Sequence, residues 1–495
     1  MLYIRMFFMM LLGLFTSRIV LEALGENDYG IYNVVGGVVA MFTVISGALS
    51  TAVTRFLTYE MGKGGSAQLA KVYSTAVNVQ IILALVIVIL AEPVGLWFIK
   101  NEMTISPDRI PAATMVMHLS LLSFVINLMS VPQMASITAH EQMSAYAYIG
   151  ILDGTLRFLV ALLIRESNAD RLVYYAVLMA FVVFAVRLSY GIYCRIHFPE
   201  CRYKFVLDKP LIKEMFSFAG WNFIGVSAGV MRDQGGNILV NIFSGPSVNA
   251  ARGVALQLNG AIQSFVTNFM TAVNPQITKS YASGDHDYMF SLMRKASRMS
   301  FYLLFIFALP VLFNTEWVMA LWLKDVPEHS VLFVRLFLIF TLSESISQPL
   351  ITAMFATGKI RNYQIVVGGI QLLNLPVSYV LLKMGAMPEV TVVVAIAFSQ
   401  ICLAARLIML EKMIGLSIRS FMVRVYLNVS AVTLVAVLIP SALCMFAADS
   451  SAAVYISIVV SLLSAALSIF FVGCSRSERQ EMTGFIKNRM GWGKA

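Results

Sequence analysis

The chain has 495 residues, 59% of them hydrophobic and only 13% charged, with a formal net charge of +10; soluble domains carry about 25% charged residues, so a soluble fold is excluded. The positive charge is not a nucleic-acid footprint, since no Lys/Arg run is interleaved with aromatics in a soluble segment; no nucleic acid is expected as a partner, and the basic excess reads as membrane topology and attraction to anionic lipid heads. Stretches such as Ile81 to Ala91 and Ala431 to Ile439 are apolar all round, so the expected fold is all-α and polytopic, with every backbone amide satisfied inside its own helix.

Windows of about 19 residues predict roughly fourteen spans. The first six are Tyr3–Leu24, Ile31–Val53, Val72–Phe98, Ala112–Ser136, Tyr146–Ile164 and Leu172–Tyr193. The first carries Arg5 and could pass for a signal peptide, but no A-x-A-like site follows and the apolar run continues through Ile19 and Val20, so it reads as an uncleaved span. A polar linker is followed by Phe216–Phe243, Ala250–Ile277, Leu292–Phe313, Val331–Phe355, Tyr363–Leu382 and Val390–Leu410, and then by Val425–Phe446 and Ala452–Phe471. The expected organisation is an N-terminal six-helix lobe (1–194), a cytoplasmic linker (195–214), a C-terminal six-helix lobe (215–411), two additional helices (412–474) and a basic cytoplasmic tail (475–495).

With the N-terminus inside, the cytoplasmic segments hold about 25 Lys and Arg against about 6 outside, the asymmetry of the positive-inside rule. Both termini are therefore expected in the cytoplasm. Two short segments resemble each other: Thr51-Ala-Val-Thr-Arg-Phe-Leu-Thr58 ends the second span, and Thr271-Ala-Val-Asn-Pro-Gln-Ile-Thr278 ends the eighth. Both run into a Gly-containing loop, which points to two parallel halves of six helices, a transporter architecture.

The segments Thr16-Ser-Arg-Ile-Val-Leu-Glu-Ala-Leu-Gly25, Asp28-Tyr-Gly-Ile-Tyr-Asn-Val-Val-Gly-Gly37 and Asn274-Pro-Gln-Ile-Thr-Lys-Ser-Tyr-Ala-Ser-Gly284 resemble the polysaccharide (Wzx-type) flippases of the multidrug, oligosaccharidyl-lipid and polysaccharide exporter superfamily. The resemblance implies two six-helix lobes forming a V around a central cavity, and a cargo of sugar chain on undecaprenyl pyrophosphate moved by alternating access across the bacterial cytoplasmic (inner) membrane. It implies cavity-lining arginines, for which Arg18, Arg55 and Arg252 stand at the matching helices. It also implies that the last two helices form a groove for lipid tails.

Read as residues, an arginine in hydrocarbon costs about 3 kcal/mol, so each must face protein, water or ligand. A pyrophosphate needs fixed cationic donors, and the guanidinium fork matches its oxygens. Arg18 could instead pair with Glu22 one turn away. Arg252, Asn259, Gln263, Thr267 and Thr271 recur at spacings of seven and four, a polar stripe suited to water or sugar, or to hydrogen bonds between helices. Three intramembrane carboxylates are candidate ion-coupling sites: Asp153 one turn before Arg157, Asp233 beside Arg232, and Glu344, which has no cation near it in sequence. Pro132, Pro275, Pro310, Pro349, Pro376 and Pro440 mark bending points.

Five cysteines and five histidines show no metal-ligand spacing, so no metal or other cofactor is expected. No HExxH, P-loop or GxSxG stands where a loop could present it, and the external loops have no room for a catalytic domain, which sets a membrane-embedded polymerase or glycosyltransferase behind a transporter and predicts no enzyme activity. An ion-coupled multidrug or metabolite antiporter of the same superfamily remains the alternative, although its cationic cargo would call for an acidic cavity. The partners read from the sequence are a lipid-linked oligosaccharide, membrane lipids, a proton or sodium ion, and a glycosyltransferase or polymerase.

Overall fold

The computed structural model describes residues 2–480 apart from positions 41, 65, 102, 104, 167–169, 207, 324–325 and 447–450. Among the described residues the regular structure is entirely helical. The helices are α1 (Leu2–Ala40), α2 (Thr43–Lys63), α3 (Ser66–Asn101), α4 (Ile110–Ala139), α5 (Met143–Arg165), α6 (Arg171–His197) and α7 (Lys209–Ala282). There follow α8 (His286–Phe313), α9 (Thr315–Trp322), α10 (Ser330–Ala356), α11 (Arg361–Leu372), α12 (Asn374–Lys383), α13 (Val390–Ile414), α14 (Ile418–Phe421), α15 (Asn428–Phe446) and α16 (Ser451–Ser468). Among the described residues, 10 helical segments are long and apolar enough to cross a membrane.

Helix ends follow from local chemistry. Asp170 caps α6 by accepting the N–H groups of Leu172 and Val173, Asp208 caps α7 through Leu211, and Asp285 caps α8 through Tyr288. Three boundaries differ from the predicted spans. The predicted second span, Ile31–Val53, is not one helix, because α1 continues to Ala40 and α2 starts at Thr43. The eleventh is divided into α11 and α12, and the segment between the predicted spans ending at Phe313 and starting at Val331 contains the short helix α9.

Two long helices, α1 and α7, are each broken by one glycine. Gly25 has φ 75, ψ 167 and Gly245 has φ 83, ψ 176, a region essentially closed to residues with a Cβ. These glycines stand at the same sequence offset as Thr51 and Thr271, and so do Gly64 and Gly284, which both turn left-handed after the helix with φ 78 and φ 80. The two halves therefore share backbone breaks that their side chains barely reveal.

The chain divides into two compact units, Met1–Ser227 with Thr278–Gly284, and Ala228–Ile277 with Asp285–Ala495. In the first, α4 packs on α2, α3 and α6, and α1 packs on α5. Small residues allow the close approach: Gly95 faces Met117, and Gly154 faces Met9. At one end of this unit Arg109 donates to both carboxylate oxygens of Asp28 and, at 2.6 Å, to Asp170, while Arg171 donates to the Ala23 carbonyl beside the Gly25 break. At the other end the segment expected to be a linker lies on α3. Tyr203 donates to Asn78, Asn78 donates to the Val206 carbonyl, and Asp208 pairs with Lys71 at 2.5 Å. Lys279 joins Glu141 at 2.6 Å in the same unit.

In the second unit α10 packs on α8 and α13, and α16 packs on α8 and α15. The two additional helices are anchored by polar groups: Tyr302 donates to Asn428, and Arg298 donates to the Gly473 carbonyl and to Glu478.

Candidate functional site

The polar residues of the second unit gather around Arg252 on the second half of α7. Its Nε donates to Asn237 Oδ1 at 2.7 Å, Nη1 to Thr391 Oγ1 at 3.1 Å, and Nη2 to the Asp233 carbonyl at 3.4 Å. The guanidinium lies over the Phe337 ring at 5.1 Å, and the side chain is 4% exposed. Gly236 makes room for it, since an added Cβ there would come 2.6 Å from Nη2. All of these acceptors are neutral. The neighbouring carboxylate, Asp233, is held by both Nε and Nη2 of Arg232 at 2.9 and 3.2 Å, with Arg232 over the Phe340 ring. The Asp233 carboxylate is thus held by Arg232 alone, while Arg252 beside this pair bonds only neutral acceptors and keeps its positive charge.

The polar stripe on α7 does not stay on one surface. Asn259 is buried and accepts from Thr341 at 2.8 Å, whereas Gln263 and Thr267 are exposed, and the Thr267 and Thr271 hydroxyls donate back to their own helix. Repeated steps of four residues drift by about 40° each around a helix of 3.6 residues per turn, which carries the lower half of the stripe away from Arg252 and Asn259.

Glu344, the acid with no cation near it in sequence, meets one from another helix. Arg406 of α13 places Nη1 3.7 Å from Glu344 Oε1, with Arg406 1% and Glu344 16% exposed. Arg406 Nε also reaches the Tyr363 hydroxyl at 3.4 Å. Beside this pair Ser343 bonds Ser399 at 2.9 Å, Gln400 donates to Ser343, and Tyr426 donates to Gln400 at 2.8 Å. Arg406 is a buried residue of α13. The signal was available, because Arg406 stands inside the predicted span Val390–Leu410.

The first unit holds the other candidates. Arg55 is buried, its guanidinium 4.7 Å from the rings of both Phe56 and Tyr59 and 5.7 Å from that of Phe218, with Glu214 3.9 Å away. Asp153 accepts from Arg157 at 2.8 Å, one turn apart on α5. Arg157 also lines a cavity of about 220 Å³ with Tyr32, Ser120, Ser123 and Asn127. The side chain of Arg18 lies outside the described residues. Thus Arg55 and Arg252 are buried against their own units, and each of the three candidate coupling carboxylates stands beside an arginine.

Sequence reasoning missed a further pair. His329 Nδ1 lies 2.6 Å from Glu389 Oε1, with Glu389 only 4% exposed, close in sequence to the Thr391 that holds Arg252. The pairing spans α10 and α13 and left no periodic trace.

Long apolar helices broken at matched glycines, with buried guanidiniums among them, define a multi-pass membrane protein of transporter architecture. The chain belongs to the polysaccharide biosynthesis protein family, whose profile matches residues 2–281. Its fold is that of the multidrug, oligosaccharidyl-lipid and polysaccharide exporter superfamily. The structure is similar to a mutant MATE transporter, with a TM-score of 0.73 at 10% identity over 83% of this chain and 95% of that one. It is also similar to the MATE transporter ClbM in complex with Rb⁺, with a TM-score of 0.66 at 15% identity over 86% and 96%. A mutant of the Vibrio cholerae MATE transporter VcmN gives 0.70 at 13% identity over 84% and 96%. No curated protein sequence matches the chain.

Proposed function

We propose that this protein flips an undecaprenyl-pyrophosphate-linked oligosaccharide, a surface-polysaccharide or O-antigen repeat unit, across the bacterial cytoplasmic membrane by alternating access, with both termini in the cytoplasm. The observation that carries the proposal is Arg252, a buried guanidinium bonded only to neutral acceptors beside the Arg232–Asp233 pair. Phosphate oxygens are stronger acceptors than the neutral amide, hydroxyl and carbonyl that hold Arg252 here, so an arriving pyrophosphate exchanges favourably with them. Arg18 and Arg55 are the further cationic groups assigned to the cargo, and Asn259 and Gln263 are suited to sugar hydroxyls.

Glu344 is the proposed site of proton or sodium coupling, with Asp233 and Asp153 as the other carboxylates on which an ion gradient could act. The 3.7 Å separation from Arg406 exceeds hydrogen-bond length, so the pair has room to tighten or to release the carboxylate to an ion, and Pro349 on the same helix supplies a bending point. A second reading, a cation-exporting antiporter, is favoured by the fold shared with MATE transporters; the positive sign of the Arg252 cluster opposes it.

The test is export of surface glycan in a deletion strain complemented with variants. Arg252→Ala should abolish export while leaving protein in the membrane, because loss of a charge-assisted contact costs about 1.5–3 kcal/mol, and Arg252→Lys should rescue only in part. Normal export from Arg252→Ala would remove the anionic-cargo reading.

A further inference from the structure

A second cavity lies at the end of the first unit where α1 restarts after Gly25. It has a volume of about 750 Å³, within the range of roughly 300–1,000 Å³ typical of small-molecule sites. Asn27, Asp28, Asp108 and Arg109 form its polar side, and Ile31 and Phe98 belong to its apolar side. The Arg109–Asp28–Asp170 network holds this polar side in place. Arg109 gives Nε and Nη2 to Asp28 and Nη1 to Asp170, so one guanidinium faces two carboxylates, and Asp108 adds a further negative charge.

The charge balance decides what the cavity can take. A phosphate is repelled, since Arg109 is already more than neutralised. A metal ion lacks ligands, because both Asp28 oxygens are occupied and no group of three metal-ligating side chains occurs among the described residues. A neutral sugar suits both sides. Its hydroxyls can donate to the Asp108 carboxylate and pair with the Asn27 amide, while its C–H face packs on Phe98 and Ile31.

We infer that this cavity is a saccharide subsite that receives a neutral hexose unit of the cargo, separate from the arginine cluster assigned to the pyrophosphate. The inference rests on the flippase reading. It gives the first unit its own hold on the glycan and explains why Asp28 and Asp108 outnumber the single arginine lining this cavity.

The test uses full-length protein in phosphatidylcholine nanodiscs, free of sugar-headed detergent, with methyl α-D-glucopyranoside and methyl N-acetyl-β-D-glucosaminide as probes in saturation-transfer NMR. Gly30 lines the cavity, and a Cβ added there meets nothing within 4 Å, so Gly30→Phe fills the space with no clash at the point of attachment. Transfer to the hexosides is expected with the wild-type chain, lost in Gly30→Phe, reduced in the exposed-loop variant Asp108→Ala, and retained in Arg252→Ala. No transfer to either hexoside, equal transfer in wild type and Gly30→Phe, or displacement of the hexoside by glycerol phosphate would overturn the subsite. If hexosides fail to bind while export still depends on Arg252, the subsite falls and the flippase reading stands; hexoside binding by a protein that exports no glycan would do the reverse.

Discussion

Glu344 on α10 and Arg406 on α13 are ion-paired across the second unit, Oε1 to Nη1 3.7 Å, with the arginine almost wholly enclosed. An enclosed guanidinium without its counter-charge is costly, so removing one partner of such a pair destabilises by about 3–5 kcal/mol, whereas replacing both with apolar groups is often neutral. Glu344→Ala should therefore lower the thermal unfolding temperature of the purified protein more than the double variant Glu344→Leu/Arg406→Leu. Equal losses in the single and double variants would show that the two charges do not depend on each other.

The two glycine breaks make a sharper structural prediction. An added Cβ at Gly25 or Gly245 meets no atom within 4 Å, so the cost of alanine lies in the backbone alone, on the order of 1–3 kcal/mol. Gly25→Ala and Gly245→Ala should each lower the unfolding temperature, and Gly220→Ala, in an ordinary helical conformation with equal space, should not. Unchanged stability in both break variants would mean that the chain does not need these conformations.

Gly236→Ala tests the packing of Arg252 without touching its charge. The new methyl would stand 2.6 Å from Nη2, whereas at Gly229 the nearest atom is 3.8 Å away. Displacing the guanidinium weakens bonds to Asn237 and Thr391, a loss of about 1.5–3 kcal/mol for a charged donor. Export should fall in Gly236→Ala and persist in Gly229→Ala. Export at the wild-type level in both would show that the position of Arg252 is unimportant.

Topology is testable at exposed sites. Cys194, Cys201 and Cys474 are free but buried, so they make poor reporters. In a cysteine-free background, Lys204→Cys should react with an impermeant maleimide only after spheroplast lysis, and Asp108→Cys should react before it. The opposite pattern would invert the assigned orientation.

Much of the helical, membrane-spanning fold was legible because such helices announce themselves through apolar length. The Thr51 and Thr271 segments exposed the repeat, and the backbone at Gly25 and Gly245 extends it. Asp153 with Arg157, and Asp233 with Arg232, were readable since each pair is close in sequence. Glu344 with Arg406, His329 with Glu389, and Arg252 with Thr391 were not, because each joins different helices whose register against one another leaves no period in the sequence. The α7 stripe misled for the opposite reason: a spacing of four mimics one face over two turns and leaves it over five.

The most direct test of the central claim is translocation by the purified protein in proteoliposomes loaded with undecaprenyl-pyrophosphate-linked oligosaccharide from the source cell. The flippase account predicts time-dependent loss of the oligosaccharide from the outer leaflet, dependent on the protein and abolished in Arg252→Ala. Oligosaccharide that stays in its leaflet while the same vesicles exchange a cationic drug for protons or sodium would contradict the account and establish the antiporter.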